Sequence, residues 1–329
     1  MARFLSFVFV LAAIAAGAYL FERYNFTAPG PTARNGSAGT VVLVASGERL
    51  LSISHKLESA GVIRNGLLFA LGVRLRSEGT DLKAGEYAIP SRASMDDVAA
   101  ILISGKSIQH KMTAAEGLTS QMIVDIVDHD PGLVGDSGPV PPEGSLLPET
   151  YLYTRGMTRA DIIARMHAAD VLFVNQTWAR HAANLPFRTP LEAVTLASIV
   201  EKETSIPEER RHIAAVFINR LRLGMKLESD PTIIYGLTKG YPLGRGIRES
   251  ELHGYTPYNT YAISGLPPTP ICNPGKDAIA AVLDPATSND LYFVANGTGG
   301  HSFTPSIAEH ERNVAKWRQI ENAQNHDRR

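Results

Sequence analysis

The chain has 329 residues, of which 44% are hydrophobic and 20% are charged, and its formal net charge is −1. This length suits two domains that each bury a core. The near-neutral charge excludes the basic surface typical of nucleic-acid-binding proteins, so no nucleic-acid partner is expected. Cys272 is the single cysteine, which excludes a disulfide framework within the chain. We expect Cys272 to be a buried, unreactive thiol.

An apolar segment lies near the start of the chain. Phe4 to Phe21 contains one polar residue, Ser6, and is preceded by Arg3. A run of this length reaches the lower limit for a membrane-spanning helix. The segment is interpreted either as a retained signal anchor or as a cleaved signal peptide, and its length favours the anchor. We therefore predict a cytoplasmic tip and transmembrane anchor over residues 1–24, with the rest of the chain outside.

The next segment, residues 25–40, is rich in Pro, Gly, Ser and Thr and is predicted to be a flexible linker. Residues 41–106 then alternate short strand and helix patterns, and Ser94 with Asp97 predicts a capping box. The predicted elements are a strand at Val41 to Val44, helices at Leu50 to Gly61 and Gly66 to Arg76, a strand at Gly85 to Ile89, and a helix from Ser94 to Gly105. These predict a small α+β domain.

Residues 107–142 are predicted to form a connecting segment, in which Thr119 opens a helix. Helical patterns dominate from residue 143 to residue 329. The predicted helices are Thr158 to Ala183, Leu191 to Glu203 behind a Thr189 cap, a helix from a Ser205–Glu208 capping box to Gly224, one from Asn273, and a last one near Pro305, with a strand at Leu291 to Ala295. The expected fold class is α+β: a transmembrane helix, a small α+β domain, and a mainly helical domain with a small β part.

Two glutamates stand where an apolar helix ends. Glu203 follows Val200 and Ile199 by three and four residues, so it continues their apolar face. Glu201 shares its side with Ala197, which is a smaller and more open surface. A carboxyl held against apolar side chains loses solvation, and its raised pKa makes it a proton donor near neutral pH. On spacing alone, a solvated helix end is the alternative interpretation.

A second polar cluster combines aromatic and hydrogen-bonding residues between Tyr258 and Tyr261, with Asn259 and Thr260 between them. Aromatic faces stack on sugar rings while amides and hydroxyls bind their hydroxyl groups, so a glycan groove is one interpretation. A packed loop is the other.

Two smaller features could also contact a ligand. The segment from Ser229 through Asp230 to Thr232 reads as a turn or helix start. His301 lies at a glycine-rich hairpin tip, where a structural role is the alternative. The histidines show no HExxH-type spacing, so no metal site is expected.

Six segments taken in order resemble the endolytic murein transglycosylase, or YceG-like, family. They are EGSLLPETY at 143–151, LASIVEKET at 196–204, VFINRLRLGMKLESDPTIIYGL at 216–237, YNTYAISGLPP at 258–268, NPG at 273–275 and LYFVANGTGGHSF at 291–303. The resemblance implies that residues 143–329 form the catalytic domain and that residues 41–106 are similar to the LysM-like domain that precedes it.

The resemblance implies a lyase that needs no cofactor and cleaves the MurNAc-β-1,4-GlcNAc bond within nascent glycan strands. It would leave 1,6-anhydroMurNAc ends and thereby terminate strand elongation. By the same resemblance Glu203 is the catalytic acid/base, with Glu201 as the alternative. The residues expected to bind substrate are Glu201, Ser229, Asp230, Thr232, Tyr258, Asn259, Thr260, Tyr261 and His301.

The resemblance also suggests a location and partners. We expect a single-pass protein of the bacterial inner (cytoplasmic) membrane, with its catalytic domain on the periplasmic side. Its expected partners are peptidoglycan glycan strands, the membrane itself and peptidoglycan synthases. Two other functions stay open from the sequence. One is a muramidase-type hydrolase of the same bond, and the other is a non-catalytic cell-wall-binding scaffold.

Overall fold

A computed structural model of the chain describes residues 2–34, 37–76 and 82–327. The helices are α1 Ala2–Thr27, α2 Leu50–Ser59, α3 Gly66–Leu75, α4 Met95–Ser104, α5 Ser120–His129, α6 Arg159–Trp178, α7 Pro190–Glu203, α8 Pro207–Arg222, α9 Asp230–Thr238, α10 Glu249–Leu252, α11 Lys276–Leu283 and α12 Ile307–Asp327. The strands are β1 Gly39–Val44, β2 Gly85–Pro90, β3 His110–Thr113, β4 Thr150–Tyr153, β5 Tyr292–Ala295 and β6 His301–Thr304.

These elements form two compact units. The first unit comprises residues 1–111, 131–134 and 152–158, and the second comprises residues 112–130, 135–151 and 159–329. The three two-stranded sheets of the described residues pair β1 with β2, β3 with β4, and β5 with β6. Helices make up most of the second unit, so the α+β class with its small β part is confirmed.

Helix α1 carries the predicted membrane segment. Residues Ser6–Thr27 are long and apolar enough to cross a bilayer, and side chains such as Phe9 and Phe21 are exposed along them. The last turns of the helix behave differently, because Phe26 is buried and stacks on Phe69 with ring centroids 6.0 Å apart. An ion pair of 3.0 Å joins Glu22 to Arg76. The end of α1 is therefore part of the first unit's core.

The segment predicted as a linker makes specific hydrogen bonds. The backbone N–H of Gly30 donates to the Arg92 carbonyl at 3.1 Å, and that of Arg92 donates to the Pro31 carbonyl at 3.0 Å. Ala33 is buried, and its N–H donates to Ser91 Oγ at 3.0 Å. This part of the segment is thus held against the end of β2. Its residues 35 and 36 lie outside the described residues.

In the first unit β1 and β2 pair antiparallel, although α2 and α3 separate them in sequence, and Val42 lies opposite Tyr87. Val42 and Val44 are buried while Val41 and Leu43 are exposed, as expected for a sheet covered on one face. Helix α4 begins with the predicted capping box of Ser94 and Asp97 and ends at Gly105, whose φ is 70°. The element order is strand, helix, helix, strand, helix; its LysM-like character stays a prediction.

Helix α7 is the central helix of the second unit. Thr189 caps it by accepting a hydrogen bond from the Glu192 N–H, and Pro190 occupies its first turn. Every residue from Ala193 to Val200 is buried, against α6, α8, α9 and α11. A helix that is apolar on all sides must be enclosed. Glu203 therefore stands at the point where α7 leaves the core.

Several predicted boundaries are wrong. Helix α6 ends at Trp178 and not near Ala183, because the Ala182 N–H donates to the Leu283 carbonyl at 2.8 Å. Helix α8 begins behind Ile206 without a side-chain cap, so the predicted Ser205–Glu208 capping box is absent. The Ile206 N–H instead donates to Thr204 Oγ1 at 3.0 Å. Strand β4 and helix α10 were not predicted.

The buried side chain of Asn273 holds together the loops around α7. Asn273 accepts a hydrogen bond from the Leu146 N–H at 3.0 Å and donates to the Leu118 carbonyl at 3.1 Å. It therefore joins three segments that are distant in sequence. Cys272 is buried, as predicted, and burial raises the pKa of its thiol.

Replacing Asp170 by asparagine is expected to stabilise the protein. Asp170 is buried in α6, its Oδ1 has no hydrogen-bond partner among the described residues, and burial raises its pKa to about 6. The pKa of Asp170 is higher in the folded state than in the unfolded state. This group therefore lowers the free energy of unfolding of wild type as the pH rises from about 4 to about 6. Asp170→Asn should raise the free energy of unfolding by about 1–2 kcal/mol near pH 7.5.

Urea unfolding of both forms across this pH range measures the effect. The gain should shrink as the pH falls from about 6 to about 4 and disappear below about pH 3, where Asp170 is protonated in the folded and the unfolded state. An equal gain at high and low pH would show that packing, and not charge, explains it.

Candidate active site

A cavity of about 510 Å³ lies in the second unit at the end of α7. Residues of α7, α8, α9, β5 and α12 and of the loops between them line it. They are Glu203, Arg220, Leu227, Glu228, Asp230, Tyr261, Phe293, Val294, His310 and Val314. Three carboxyl groups, one guanidinium and apolar walls thus face one space, which suits a neutral polar ligand with some apolar surface.

Of the three carboxyl groups in the cavity, Glu203 has the least contact with water. Burial and, to a smaller extent, the neighbouring charge of Asp230 raise its pKa, which reaches about 7 when all neighbours are included. A hydrogen bond from Ser229 Oγ to Glu203 Oε1, together with Arg220, opposes the rise. A substantial fraction of Glu203 is therefore protonated near neutral pH, as the sequence spacing predicted for a carboxyl on the apolar face.

Ser229 is held in place by two buried threonines. Its N–H donates to Thr260 Oγ1 at 2.9 Å, and Thr232 Oγ1 donates to the Ser229 carbonyl at 2.6 Å. The two threonine hydroxyls are 2.9 Å apart, and neither residue is exposed. Thr232 and Thr260 are thus placed to position Ser229 behind Glu203, and neither reaches the cavity.

Asp230 and Tyr261 form one wall of the cavity. The Tyr261 hydroxyl donates to Asp230 Oδ1 at 2.8 Å. Burial and the Asp230 carboxylate both raise the pKa of Tyr261, so its hydroxyl keeps its proton at neutral pH. This bond fixes the Asp230 carboxylate, which directly follows Ser229 in sequence.

Glu201 faces away from this cavity. Its Oε2 accepts a hydrogen bond from the Gly275 N–H at 2.9 Å, and its Oε1 lies 3.9 Å from Arg210 Nη2. Burial raises its pKa as well. Because Gly275 is the N-cap residue of α11, the contact ties the end of α7 to the start of α11.

Asn259 and Tyr258 lie in the same loop as Thr260 and Tyr261 but point elsewhere. The Asn259 amide is buried and donates to the carbonyls of Leu252 and Gly254, at 3.0 and 2.7 Å. Tyr258 packs on Tyr235 and shares a 2.8 Å hydrogen bond with Thr269 Oγ1. Both side chains organise the loop that presents Tyr261.

His301 lies at the β5–β6 hairpin and binds a carboxylate of α8. Its Nδ1 is 2.6 Å from Glu209 Oε2, and its N–H donates to Glu209 Oε1 at 2.8 Å. Burial by itself raises the pKa of Glu209, but the hydrogen bonds from His301 outweigh it and leave this pKa below its usual range. His301 lies close enough to Glu203 to lower that residue's pKa.

The sequence interpretation missed Arg220. This side chain is buried, and it donates to the Leu291 carbonyl at 2.6 Å and to Glu228 Oε2 at 3.0 Å. It therefore joins α8, β5 and the loop before α9 around the cavity. The sequence could have indicated that Arg220 is buried, because it lies three residues after Phe217 and seven after Ile213 on the buried face of α8.

Other wall residues also escaped prediction, among them Phe293, Val294 and His310. The His310 ring stacks on Tyr292 at 5.2 Å, and burial lowers the pKa of His310. No sequence spacing links α12 to α7, so only the fold reveals that both line the same cavity. Within residues 2–34, 37–76 and 82–327, no group of three or more His, Cys, Asp or Glu side chains is arranged to hold a metal ion.

The sequence profile of the YceG-like family matches residues 42–316. The chain belongs to the YceG-like family.

Two similar proteins are both named endolytic murein transglycosylases. An endolytic murein transglycosylase of Streptococcus pneumoniae strain D39 is 30% identical over 361 residues, covering 95% of this chain and 64% of that protein. One of Bacillus subtilis strain 168 is 34% identical over 178 residues, covering 54% of this chain and 48% of that protein. This chain thus spans less than two thirds of the length of these relatives.

A solved structure also resembles this YceG-like chain. The 2.6 Å crystal structure of a yceG-like protein from Listeria monocytogenes has a TM-score of 0.51 and 30% sequence identity, over 83% of this chain and 98% of that one. The residues that match the family profile, 42–316, include all those that line the candidate active site.

Two substitutions are expected to move the pKa of Glu203 in opposite directions. Asp230→Asn removes a negative charge that raises it, so the pKa should fall below about 7. Ser229→Ala removes a hydrogen bond to the ionised form, so the pKa should rise. Titration of the ¹³C-labelled carboxyl by NMR measures both shifts. Shifts of the same sign in the two variants would contradict this account of the site.

Proposed function

We propose that the chain is an endolytic peptidoglycan lytic transglycosylase that uses Glu203 as its acid and base. The observation that supports this most directly is a carboxyl with a pKa of about 7 at the wall of an open cavity. A group of this kind donates a proton at neutral pH and takes one back within the same cycle. The names of the relatives supply the substrate class, which is murein.

The proposed bond is the β-1,4 bond from N-acetylmuramic acid to N-acetylglucosamine within a nascent strand. Protonated Glu203 gives its proton to the bridging oxygen, and the bond from that oxygen to the anomeric carbon breaks. The C6 hydroxyl of the same muramyl sugar then attacks the anomeric carbon, and the Glu203 carboxylate takes the hydroxyl proton. The products are a free 4-hydroxyl on one fragment and a 1,6-anhydro end on the other, and Glu203 is protonated again.

This sequence of steps needs one carboxyl, because the nucleophile belongs to the substrate. An intramolecular hydroxyl also gains from proximity. Ser229 is placed to stabilise the carboxylate form of Glu203, since its hydroxyl donates to that carboxyl. The other two carboxylates of the cavity already have partners, Glu228 with Arg220 and Asp230 with Tyr261.

A muramidase-type hydrolase is the second candidate, and Asp230 is the observation that favours it. Glycoside hydrolases use two carboxylates on either side of the bond, and Asp230 lines the same cavity as Glu203. In that reaction Asp230 would activate a water molecule, and the product would carry a reducing end. The hydrogen bond from Tyr261 disfavours this role because it lowers the basicity of Asp230.

Location and partners follow from the same proposal. The apolar part of α1 anchors the chain in the bacterial inner membrane as a single pass, with the second unit on the periplasmic side. Glycan strands emerging there are the substrate, so the reaction terminates their elongation. Peptidoglycan synthases that produce these strands are the expected neighbours, and chemical crosslinking in cells tests their presence.

The products of cleavage test the proposal. Uncrosslinked peptidoglycan incubated with wild type should give 1,6-anhydro ends by mass spectrometry. Glu203→Gln should lower the rate by about 10²–10⁴-fold, because glutamine cannot donate the proton. Glu201→Gln is the matched control, since an amide oxygen can still accept the Gly275 N–H; this variant should keep at least about a tenth of the activity.

The other outcomes are equally informative. Reducing ends in place of anhydro ends would support the hydrolase. Binding of strands without cleavage by wild type would support the non-catalytic scaffold. A greater loss in Glu201→Gln than in Glu203→Gln would assign the acid and base to Glu201.

A further inference from the structure

A second cavity, of about 240 Å³, lies beside the candidate active site in the second unit. It is lined by Gly117, Thr119, Lys202, Pro231, Ile234, Tyr235, Gly240, Pro242 and Ile271. Lys202 directly precedes Glu203 in α7, and Pro231 directly follows Asp230 in α9. The last turn of α7 and the first turn of α9 thus contribute one residue to each cavity.

The two cavities differ in charge. Glu203, Glu228 and Asp230 line the first together with Arg220, whereas the second is lined by one charged residue, Lys202, in the part of the chain that the structure describes. An anionic group bound across both would be repelled from the first cavity and attracted to the second. The lining charge is therefore mainly negative in the first cavity and positive in the second.

Lys202 has donor capacity left for a ligand. Its Nζ donates to the Gly117 carbonyl at 3.3 Å, and Lys202 forms no salt bridge among the described residues. An ammonium group carries three donors. A carboxylate is the partner that such a group binds most strongly.

The remaining walls suit small apolar groups. Pro231, Ile234, Pro242 and Ile271 supply aliphatic surface, and Tyr235 supplies an aromatic ring. Gly240 has a φ of +86°, and a Cβ there would lie 2.5 Å from Thr119 Cγ2. A glycine at this position therefore avoids a clash at the cavity wall.

We propose that this second cavity binds the short, carboxylate-bearing peptide that murein carries on its muramyl sugars, with Lys202 as the counter-ion. This inference rests on the proposed function for the identity of the substrate. It assigns Lys202 a role in specificity: the protein distinguishes strands that carry peptides from bare glycan.

The test compares two substrates with the full chain in detergent. One substrate is uncrosslinked strands with their peptides, and the other is the same strands after an amidase has removed them. Lys202→Met should raise KM for the peptide-bearing strands about fivefold and leave kcat unchanged, because a charge-assisted hydrogen bond is lost. KM for the stripped strands should stay the same. Lys111→Met, at an exposed lysine of the first unit, is the matched control and should change neither value.

A second variant tests the cavity without touching the charge. Ile234→Trp places a larger side chain of α9 in the cavity. It should weaken the binding of peptide-bearing strands and leave the binding of stripped strands unchanged. An equal rise in KM on both substrates would place Lys202 against the glycan and overturn the inference. No change on either substrate would overturn it as well.

A binding measurement separates this inference from the proposed reaction. Fluorescently labelled strands of both kinds are titrated with Glu203→Gln and with Glu203→Gln/Lys202→Met. Peptide-dependent binding that falls about fivefold in the double variant supports the inference even where wild type cleaves nothing. Equal binding by both variants overturns it, whatever the outcome for cleavage.

Discussion

The main constraint on the second unit is that it must keep water away from the Glu203 carboxyl. A carboxyl in water ionises far below neutral pH, and burial at an apolar helix end is the main cause that raises the pKa of Glu203 to about 7. Helix α7 provides this because its residues from Ala193 to Val200 are enclosed on every side. The helix therefore serves both as the centre of the core and as the support of the candidate acid.

Burial alone would leave this carboxyl without a fixed position. Ser229 supplies that position, and its own placement depends on Thr232 and Thr260, which come from α9 and from the loop before Tyr261. None of these three side chains is charged; the Ser229 hydrogen bond lowers the pKa of Glu203, and burial outweighs it. Arg220 acts one layer further out, by holding Glu228 and the Leu291 carbonyl.

The sequence predicted elements best where one local pattern decided the outcome. Ser94 and Asp97 defined the start of α4, and Thr189 with Pro190 defined that of α7, because caps act through neighbouring backbone groups. Boundaries failed where a distant segment supplied the hydrogen bond, as Leu283 does for Ala182. Strand β4 was missed because its partner β3 is remote in sequence.

The candidate site divides in the same way. Helical spacing and the family resemblance both pointed to Glu203. Neither could tell that the neighbouring Asn259 and Thr260 face inward, since a polar loop gives no periodicity to read. His310 and Phe293 reach the cavity only through the packing of α12 and β5, which tertiary structure alone determines.

The buried end of α1 has a mechanical consequence. Phe26 and Glu22 lock this helix into the first unit, so rotation or tilt of the helix must carry that unit with it. Only one helical turn separates Phe26 from the last apolar residue, Phe21, of the predicted bilayer span. If α1 crosses the bilayer as proposed, the first unit is held rigidly at the lipid surface by this helix and is not attached through a flexible linker.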